Sequence, residues 1–175
     1  TRADSEADHV LRLAKGRRMS LPIYYDLEES SLANAAAGNM VVFGTKVENA
    51  GYHCGVYSGE YYYNRNLSNV TRYTKWIARY GSNSGHPGTK PNVQNVTIWQ
   101  YSSKGRIPGI NGNVDVNIMY GDDLLKAVTG KDYIQCAKDV WAGKYGAGTV
   151  RESALRGMGF DPRIVQHFVN RLVVK

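Results

Sequence analysis

Cysteine is scarce in this sequence, and no apolar stretch approaches the length of a membrane span. The chain of 175 residues contains two cysteines, Cys54 and Cys136, which lie far apart and outside any CxxC or partnered histidine spacing. We therefore expect two free thiols, no metal site and no cofactor. The first residues show no signal-peptide pattern. Without a long apolar run, the sequence also gives no reason to expect a membrane partner.

Long runs of a single charge are also absent, which argues against a disordered chain or a coiled coil. Charged residues make up 21% of the sequence, and the net charge is +7. The expected partner is therefore anionic: nucleic acid, a membrane surface or a polyanionic wall. No lysine-rich tract and no nucleic-acid motif supports the first, so we expect no nucleic-acid partner. Charge alone also fits a basic protein that binds polyanions without specificity.

Aromatic residues are plentiful by contrast. Thirteen tyrosines and three tryptophans suit carbohydrate binding, because flat rings stack on the C–H faces of sugars, although most aromatic residues in any protein belong to the core. Hydrophobic residues make up 42% of the chain. This is enough for one ordinary domain, or for one domain with a small module.

The hydrophobic pattern predicts two regions, 1–130 and 131–175. In the first region, helices are predicted over 5–15 and 39–51, with a tyrosine-rich helical segment after residue 58, and strands over 21–26, 52–58, 75–81, 95–102 and 112–121. Strands that alternate with helices or long loops indicate a parallel sheet of the βα type. A short helix with a linker is predicted over 121–132. Three helices follow, the last with Pro162 in its first turn.

The stretch LPIYYDLEES, residues 21–30, places two acids where a strand ends. Side chains alternate along a strand, so Asp26 and Glu28 point to the same side, roughly 6–7 Å apart. Two like charges at that separation push their proton affinities apart, which can supply an acid and a base near neutral pH. The alternative is a solvated strand end whose acids cap the next helix, and the spacing alone favours that alternative.

Polar and aromatic residues recur at the other predicted strand ends. The carboxyl ends of the strands of a parallel barrel meet at one edge, where such barrels collect their chemistry. The residues at these positions are Asp26 and Glu28, Tyr57 and Ser58, Trp76 and Tyr80, Gln100 and Tyr101, and Asp115 and Asn117. Acids that protonate a leaving oxygen, with aromatic residues that bind a sugar, are typical of glycosidases. Alternation buries about half of such positions, so Trp76 and Trp99 fit the core better than a sugar platform.

Five segments, in order and spacing, carry a closer resemblance. LPIYYDLEES, VENAGYHCGVYSGEYYY, WIARY, TIWQYSS and GNVDVN resemble the second half of glycoside hydrolase family 25, the muramidases or lysozymes that include many bacteriophage endolysins. The resemblance runs from about residue 5 to residue 128. It implies a β/α barrel that cuts the bond between N-acetylmuramic acid and N-acetylglucosamine in bacterial peptidoglycan. The expected fold is α/β, a partial TIM-like β/α barrel followed by a small three-helix bundle.

The resemblance also implies roles for individual residues. It maps the strand-end D-x-E pair of the family onto Asp26 and Glu28. Glu28 is then the proton donor to the leaving oxygen, and Asp26 orients the 2-acetamido group of the substrate or an attacking water. The late aspartate of the family falls on Asp115. The positions that match its substrate groove are Tyr57, Trp76, Gln100 and Tyr101.

The last region resembles a second known module. Residues 137–172 are similar to the short helical cell-wall-binding repeat of some phage lysozymes. In that family the repeat binds muropeptide, which implicates Tyr145, Gly146, Gly148 and Arg151. Residues 131–175 hold eight Lys or Arg and four Asp or Glu, hence a net charge of +4. From the residues alone, Tyr145 and Arg151 fit plain helix-packing and surface positions.

One part of the family pattern is missing. The family barrel begins with a strand that carries an aspartate, followed by two more strands before the D-x-E strand, whereas this sequence starts one helix before LPIYYD. About five of the eight strands of a closed barrel are therefore expected. Such a sheet exposes an unpaired edge. Three explanations are open. The chain is a fragment, or it pairs its edge with a second copy or with the missing barrel half. The third is that the sequence omits part of its gene product.

Two hypotheses of different classes follow. The first is a peptidoglycan muramidase anchored by a wall-binding tail. The second is a non-catalytic wall-binding product of such an endolysin. Both expect peptidoglycan or muropeptide as the partner, and action at the bacterial cell wall after release from the cytoplasm at host lysis.

Overall fold

The computed structural model describes residues 2–17, 19, 21–120 and 130–173. The chain divides into two compact units, Thr1–Gly121 and Asp122–Lys175. The short helix predicted after residue 120 lies outside the described residues, and the linker predicted after it, residues 130–132, forms no helix. No helix within the described ranges is long and apolar enough to cross a membrane.

The first unit contains a five-stranded sheet with helices between its strands. Its elements are α1 (Arg2–Ala14), β1 (Ile23–Asp26), a 3₁₀-helix (Ser30–Ala35), α2 (Ala36–Asn49), β2 (Cys54–Gly59), α3 (Glu60–Asn66), β3 (Thr74–Ala78), β4 (Ile98–Gly105) and β5 (Val114–Met119). The strands lie in chain order, from β1 to β5. The predicted α/β fold is therefore confirmed. Among the described strands, β1 and β5 are the outer ones and do not pair with each other, so the five strands form an open sheet.

The direction of β5 departs from the parallel sheet that the sequence predicts. Strands β1 to β4 run parallel, whereas β5 pairs with β4 in antiparallel fashion. Parallel neighbours need a crossover of a dozen or more residues, and the connection over 106–113 is too short for one. The prediction of a parallel last strand was therefore wrong. A consequence is that β5 begins at the edge of the sheet where the parallel strands end.

One face of the sheet packs against the helices. Tyr25 of β1 stacks on Phe43 of α2, with ring centroids 4.2 Å apart and planes 9° from parallel. Val56 and Ile77 continue the same apolar face along β2 and β3, and both are fully buried. Apolar residues at every second strand position thus face the helices, and the intervening residues form the opposite face of the sheet.

The second unit is a bundle of three short helices, as the sequence predicts. They are α4 (Tyr133–Trp141), α5 (Gly148–Gly157) and α6 (Pro162–Val173), so Pro162 is the first residue of its helix. The Asp132 side chain caps α4 by accepting a hydrogen bond of 2.8 Å from the Gln135 N–H. The core of the bundle consists of Tyr133, Cys136, Ala137, Val140, Leu155, Val165, Phe168 and Val169. Cys136 and, in the first unit, Cys54 are both buried and free.

Candidate active site

The sheet face opposite the helices, which we call the site face, collects polar and aromatic side chains. Asp26 lies opposite Tyr57 in the strand register, and Tyr57 lies opposite Trp76. Farther along the sheet, Gln100 lies opposite Asn117. Because residues in register on neighbouring strands point to the same face, these five side chains form one surface across all five strands.

Trp76 is held in a fixed orientation on the site face. Its ring contacts Tyr24 and Tyr57 edge-on, with centroids 5.4 and 5.1 Å away. Its indole Nε1–H donates a hydrogen bond of 2.8 Å to Asn117 Oδ1. The expectation that both Trp76 and Trp99 belong to the core holds only for Trp99, which is 2% exposed. Alternation places Trp76 on the opposite face, where an aromatic ring can contact a ligand.

Gln100 is a buried amide at the centre of the site face. It is 3% exposed, and its Oε1 accepts hydrogen bonds from Tyr57, at 2.8 Å, and from Tyr80. Burial, followed by the nearby Tyr80, Glu28 and Asp26, raises the pKa of Tyr57 well above its ordinary value. The phenol therefore keeps its proton across the physiological range and remains a hydrogen-bond donor.

Asp26 and Glu28 flank a residue that is anchored in the core. Leu27 is 2% exposed. Its N–H donates to Tyr57 O at 3.0 Å, and its carbonyl accepts a 2.7 Å hydrogen bond from the Ser58 hydroxyl. These bonds continue the alignment with β2 beyond the last residue of β1. Because Leu27 points into the core, alternation turns both acids to the site face.

The environment raises the proton affinity of both carboxyl groups. Burial raises the pKa of Asp26. Burial, and then the negative charge of Asp26, raise the pKa of Glu28, against a lowering by the hydrogen bond from the Gly59 N–H. Within the described chain neither acid forms an ion pair that would offset these effects. This arrangement favours a protonated carboxylic acid at higher pH than an isolated side chain would allow.

The capping alternative finds no support in the hydrogen bonds around the next helix. The residue that precedes the 3₁₀-helix is Glu29, and its side chain makes no capping hydrogen bond. Glu29 instead lies 3.3 Å from an Arg2 guanidinium nitrogen and accepts a hydrogen bond from Ser31. Three neighbouring acids thus divide into two kinds: Glu29 pairs with Arg2 at the surface, whereas Asp26 and Glu28 have no cationic partner among the residues that the structure describes.

Asp115 reaches the same edge of the sheet from the antiparallel strand. It is exposed and lies two residues before Asn117, so it shares the site face. Val114 pairs with Gly105 at the far end of β4, which places the start of β5 beside the ends of the parallel strands. The third predicted acid is therefore on the face and at the edge that carry the other two.

Residues 1–110 match the family described as Glycosyl hydrolases family 25. The chain belongs to glycosyl hydrolase family 25. A curated relative, the lysozyme of Streptococcus phage Cp-7, is 33% identical over 104 residues, which are 55% of this chain and 28% of that protein. This family 25 chain thus spans less than a third of that relative.

Solved structures of the family share the fold. A glycosyl hydrolase 25 of Streptococcus pneumoniae, GHIP, superposes with a TM-score of 0.64 at 24% identity, covering 74% of this chain and 59% of that one. The modular Cpl-1 endolysin superposes with a TM-score of 0.53 at 25% identity, covering 69% and 37%. The match to GHIP concerns the fold alone.

Tyr101 is the one predicted groove residue of the family 25 unit that the structure does not bring into the cluster. Its ring contacts that of Trp99, 5.8 Å away. The register between β4 and β5 shifts between Gln100 and Ser102, exactly where Tyr101 lies. Because side chains alternate along a strand, Tyr101 points away from the face of its neighbour Gln100 and to the side of Trp99, two residues before it.

Four residues that support the site were not among the predicted site residues. Tyr80 and Asn117 appear at predicted strand ends, but their bonds to Gln100 and Trp76 became evident only from the fold. Ser58 and Gly59 hold Leu27 and Glu28 in place. Ser58 was visible as a strand-end residue, whereas nothing in the sequence indicates that the Gly59 N–H faces a carboxylate.

The chemistry available to the site is that of acids, phenols and amides. Across the described residues there is no group of three or more His, Cys, Asp or Glu side chains that could hold a metal ion. Asp26 and Glu28 can exchange protons, and the rings of Trp76 and Tyr57, which meet edge-on, offer aromatic surface beside them. This combination fits a neutral polar ring such as a sugar.

In the second unit the predicted wall-binding residues have different surroundings. Tyr145 donates a hydrogen bond of 3.3 Å to Asp139. Gly146, in the turn before α5, and Gly148, its first residue, adopt positive φ angles of 71° and 56°. The Arg151 guanidinium donates to Gln166 Oε1 at 2.9 Å. Arg151 alone among the four lines a groove of about 490 Å³, the tail groove, formed by Arg151, Glu152, Arg156, Pro162, Arg163, Gln166, His167 and Asn170.

Proposed function

We propose that this chain is a lysozyme that hydrolyses the bond between N-acetylmuramic acid and N-acetylglucosamine in bacterial peptidoglycan. The observation that carries the proposal is the pair of unneutralised carboxyl groups on the site face, both with a raised pKa. Membership of family 25 supports the reaction class. The Cpl-1 endolysin has been solved with a peptidoglycan analogue, which supports the substrate class. Its place of action is the bacterial cell wall.

In this proposal Glu28 donates a proton to the glycosidic oxygen. Burial and the charge of Asp26 raise the pKa of Glu28, so the acid keeps its proton to higher pH than an isolated side chain, which is the direction a general acid requires. Asp26, ionised beside it, orients the 2-acetamido group or a water molecule and stabilises the positive charge that develops on the sugar ring. Asp115 adds negative charge at the same edge. Trp76 and Tyr57 contact the sugar, and the Tyr57–Gln100–Tyr80 hydrogen bonds keep that surface rigid.

The test compares the chain with two variants on purified peptidoglycan, with release of new reducing ends as the readout. Glu28→Gln should lower the rate by about 10²–10⁴-fold, because it removes the proton donor and keeps the shape. Glu29→Gln is the matched control and should retain the rate, since Glu29 is paired with Arg2 at the surface. Equal rates for the chain and Glu28→Gln would refute the assignment.

The second unit is proposed to hold the enzyme on the wall through the tail groove. Three arginines and a histidine line this groove against a single acid, Glu152. Muropeptides carry carboxylates, which guanidinium groups bind through paired hydrogen bonds. Arg151 is oriented by Gln166, so it presents a fixed donor.

Sedimentation with purified peptidoglycan tests this second role. Arg151→Met should weaken wall binding about tenfold or more, since hydrogen bonds to charged groups contribute about 1.5–3 kcal/mol. Lys138→Met removes the same charge from an exposed position of α4 outside the groove and should bind normally. The alternative is a non-catalytic wall-binding product. It would be established if the parent chain and Glu28→Gln both bind the wall and neither releases reducing ends.

The outer position of β1 adds an expectation about assembly. Among the described strands β1 pairs only with β2, so Asp26 borders an unpaired strand edge. Such edges pair readily with another strand. We expect a second copy, or a chain that supplies further strands of the barrel, to add here. Sedimentation velocity of the active protein distinguishes a monomer from such a complex.

A further inference from the structure

A buried lysine lies on the side of the sheet away from the site face. Lys75 of β3 is 6% exposed, and it alternates with Trp76, so the two side chains point to opposite faces. Its backbone N–H and carbonyl both bond to the Thr97 hydroxyl, at 3.0 and 2.7 Å, which fixes the strand at this point. In the described part of the chain its ammonium group has no ion-pair or hydrogen-bond partner, and burial lowers the pKa of Lys75. A lysine this buried is normally paired.

The Lys75 side chain lines a polar cavity of about 340 Å³. The cavity is formed by Tyr63, Asn64, Ser68, Thr71, Lys75, Asn92, Val93, Gln94 and Asn95. Asn64 after β2 and Asn92 before β4 are joined by a 3.3 Å hydrogen bond from the Asn64 amide to the Asn92 carbonyl, which ties two walls together. The volume is that of roughly ten water molecules, enough for a small solvated ion or organic acid.

The lining carries a cation and no anion. Six of the nine lining residues are amides or hydroxyl residues of the Asn, Gln, Ser and Thr types, and none is acidic. Glu60, which lies before the lining residues in the chain, is not among them. It forms a 2.6 Å ion pair with Arg79 and also accepts a hydrogen bond from the Asn92 N–H. The described residues therefore supply no counter-ion for the Lys75 charge, which lies among groups that donate hydrogen bonds.

We propose that this cavity, the Lys75 pocket, binds a small oxyanion such as a phosphate or carboxylate group. The ammonium group supplies the charge, and the surrounding amides and hydroxyls donate the further hydrogen bonds that an oxyanion accepts. Occupancy offsets the cost of burying the lysine charge. The site is separate from Asp26 and Glu28, since it lies on the opposite face of the sheet, and it does not depend on the proposed glycosidase activity.

The experiment is a thermal-unfolding titration of the full chain with inorganic phosphate, and in parallel with acetate, at an ionic strength held constant with sodium chloride. A bound ligand raises the unfolding temperature in a saturable manner. Lys75→Met keeps the aliphatic stem and removes the charge, and should weaken apparent binding at least tenfold. Lys15→Met, an exposed lysine of the same unit, is the control for the loss of one charge and should bind as the parent does.

A second variant decides the question if Lys75→Met fails to fold. Gln94→Glu keeps the side-chain shape and adds a carboxylate to the lining, where it competes for Lys75, so phosphate and acetate should bind more weakly. Saturation by phosphate alone points to a phosphate ligand, and saturation by acetate points to a carboxylate. No saturable shift in the parent, or equal binding in the parent and in either pocket variant, would overturn the proposal.

Discussion

Replacing Ser58 with alanine tests whether its hydrogen bond from β2 positions Glu28, the proposed proton donor. The Ser58 hydroxyl is fully buried and donates a 2.7 Å hydrogen bond to the carbonyl of Leu27, the residue between Asp26 and Glu28. The variant leaves a buried carbonyl without this donor, which costs about 1–3 kcal/mol of folding free energy. Displacement of a catalytic group by about 1 Å can cost ~10²-fold in rate. We therefore expect kcat to fall about tenfold to a hundredfold, with a smaller change in KM.

Urea unfolding and the reducing-end assay measure the two effects on the same preparations. Ser31→Ala is the matched control, because that hydroxyl bonds to Glu29 at the exposed surface and its loss should cost no more than about 0.5 kcal/mol. A stability loss below that value for Ser58→Ala would refute the energetic argument. A normal loss of stability with unchanged kcat would refute the positioning argument and leave Ser58 a purely structural residue.

Two further predictions concern the same face of the sheet. A carboxyl group whose pKa is raised by folding contributes stability that is full below its unfolded pKa and is lost as pH rises through its folded pKa. Glu28→Gln should therefore raise the unfolding temperature at pH 7, with the difference disappearing in acid, and a variant that is less stable at pH 7 would contradict this. Tyr57→Phe and Tyr80→Phe should each cost about 0.5–1.5 kcal/mol, and the double variant more than their sum, because the last donor to the buried Gln100 oxygen is then lost. Strict additivity in chemical denaturation would show that the two hydroxyls act independently.

The fold could be predicted to the extent that apolar periodicity determines it. Strand β1 and the paired acids after it follow from alternation, and Leu27, the apolar residue between them, is the reason that both acids face the same way. The direction of β5 was available as well, because the residues between the two last predicted strands, 103–111, are too few for a crossover. The prediction of a parallel β5 extended the pattern of the earlier strands and did not take the length of this connection into account.

Other features depend on contacts that no local pattern contains. The bulge beside Tyr101 exists only because β4 and β5 pair with a shifted register. Lys75 begins the segment KWIARYG, where a lysine normally marks the solvated end of a strand, yet the turn after α3 and the loop before β4 close over it. Tyr80 lies outside any strand, and its contact with Gln100 depends on the path of the chain after β3.

The three tryptophans lie in three different environments, which gives this protein built-in optical probes. Trp76 lies on the site face between two tyrosines, Trp99 is enclosed with its indole N–H bonded to Arg79 O, and Trp141 at the end of α4 is 61% exposed. Iodide should quench the emission of Trp141 first and that of Trp99 last. Fluorescence can therefore report separately on ligand contact with the site face, on events in the second unit and on opening of the core, without any added label.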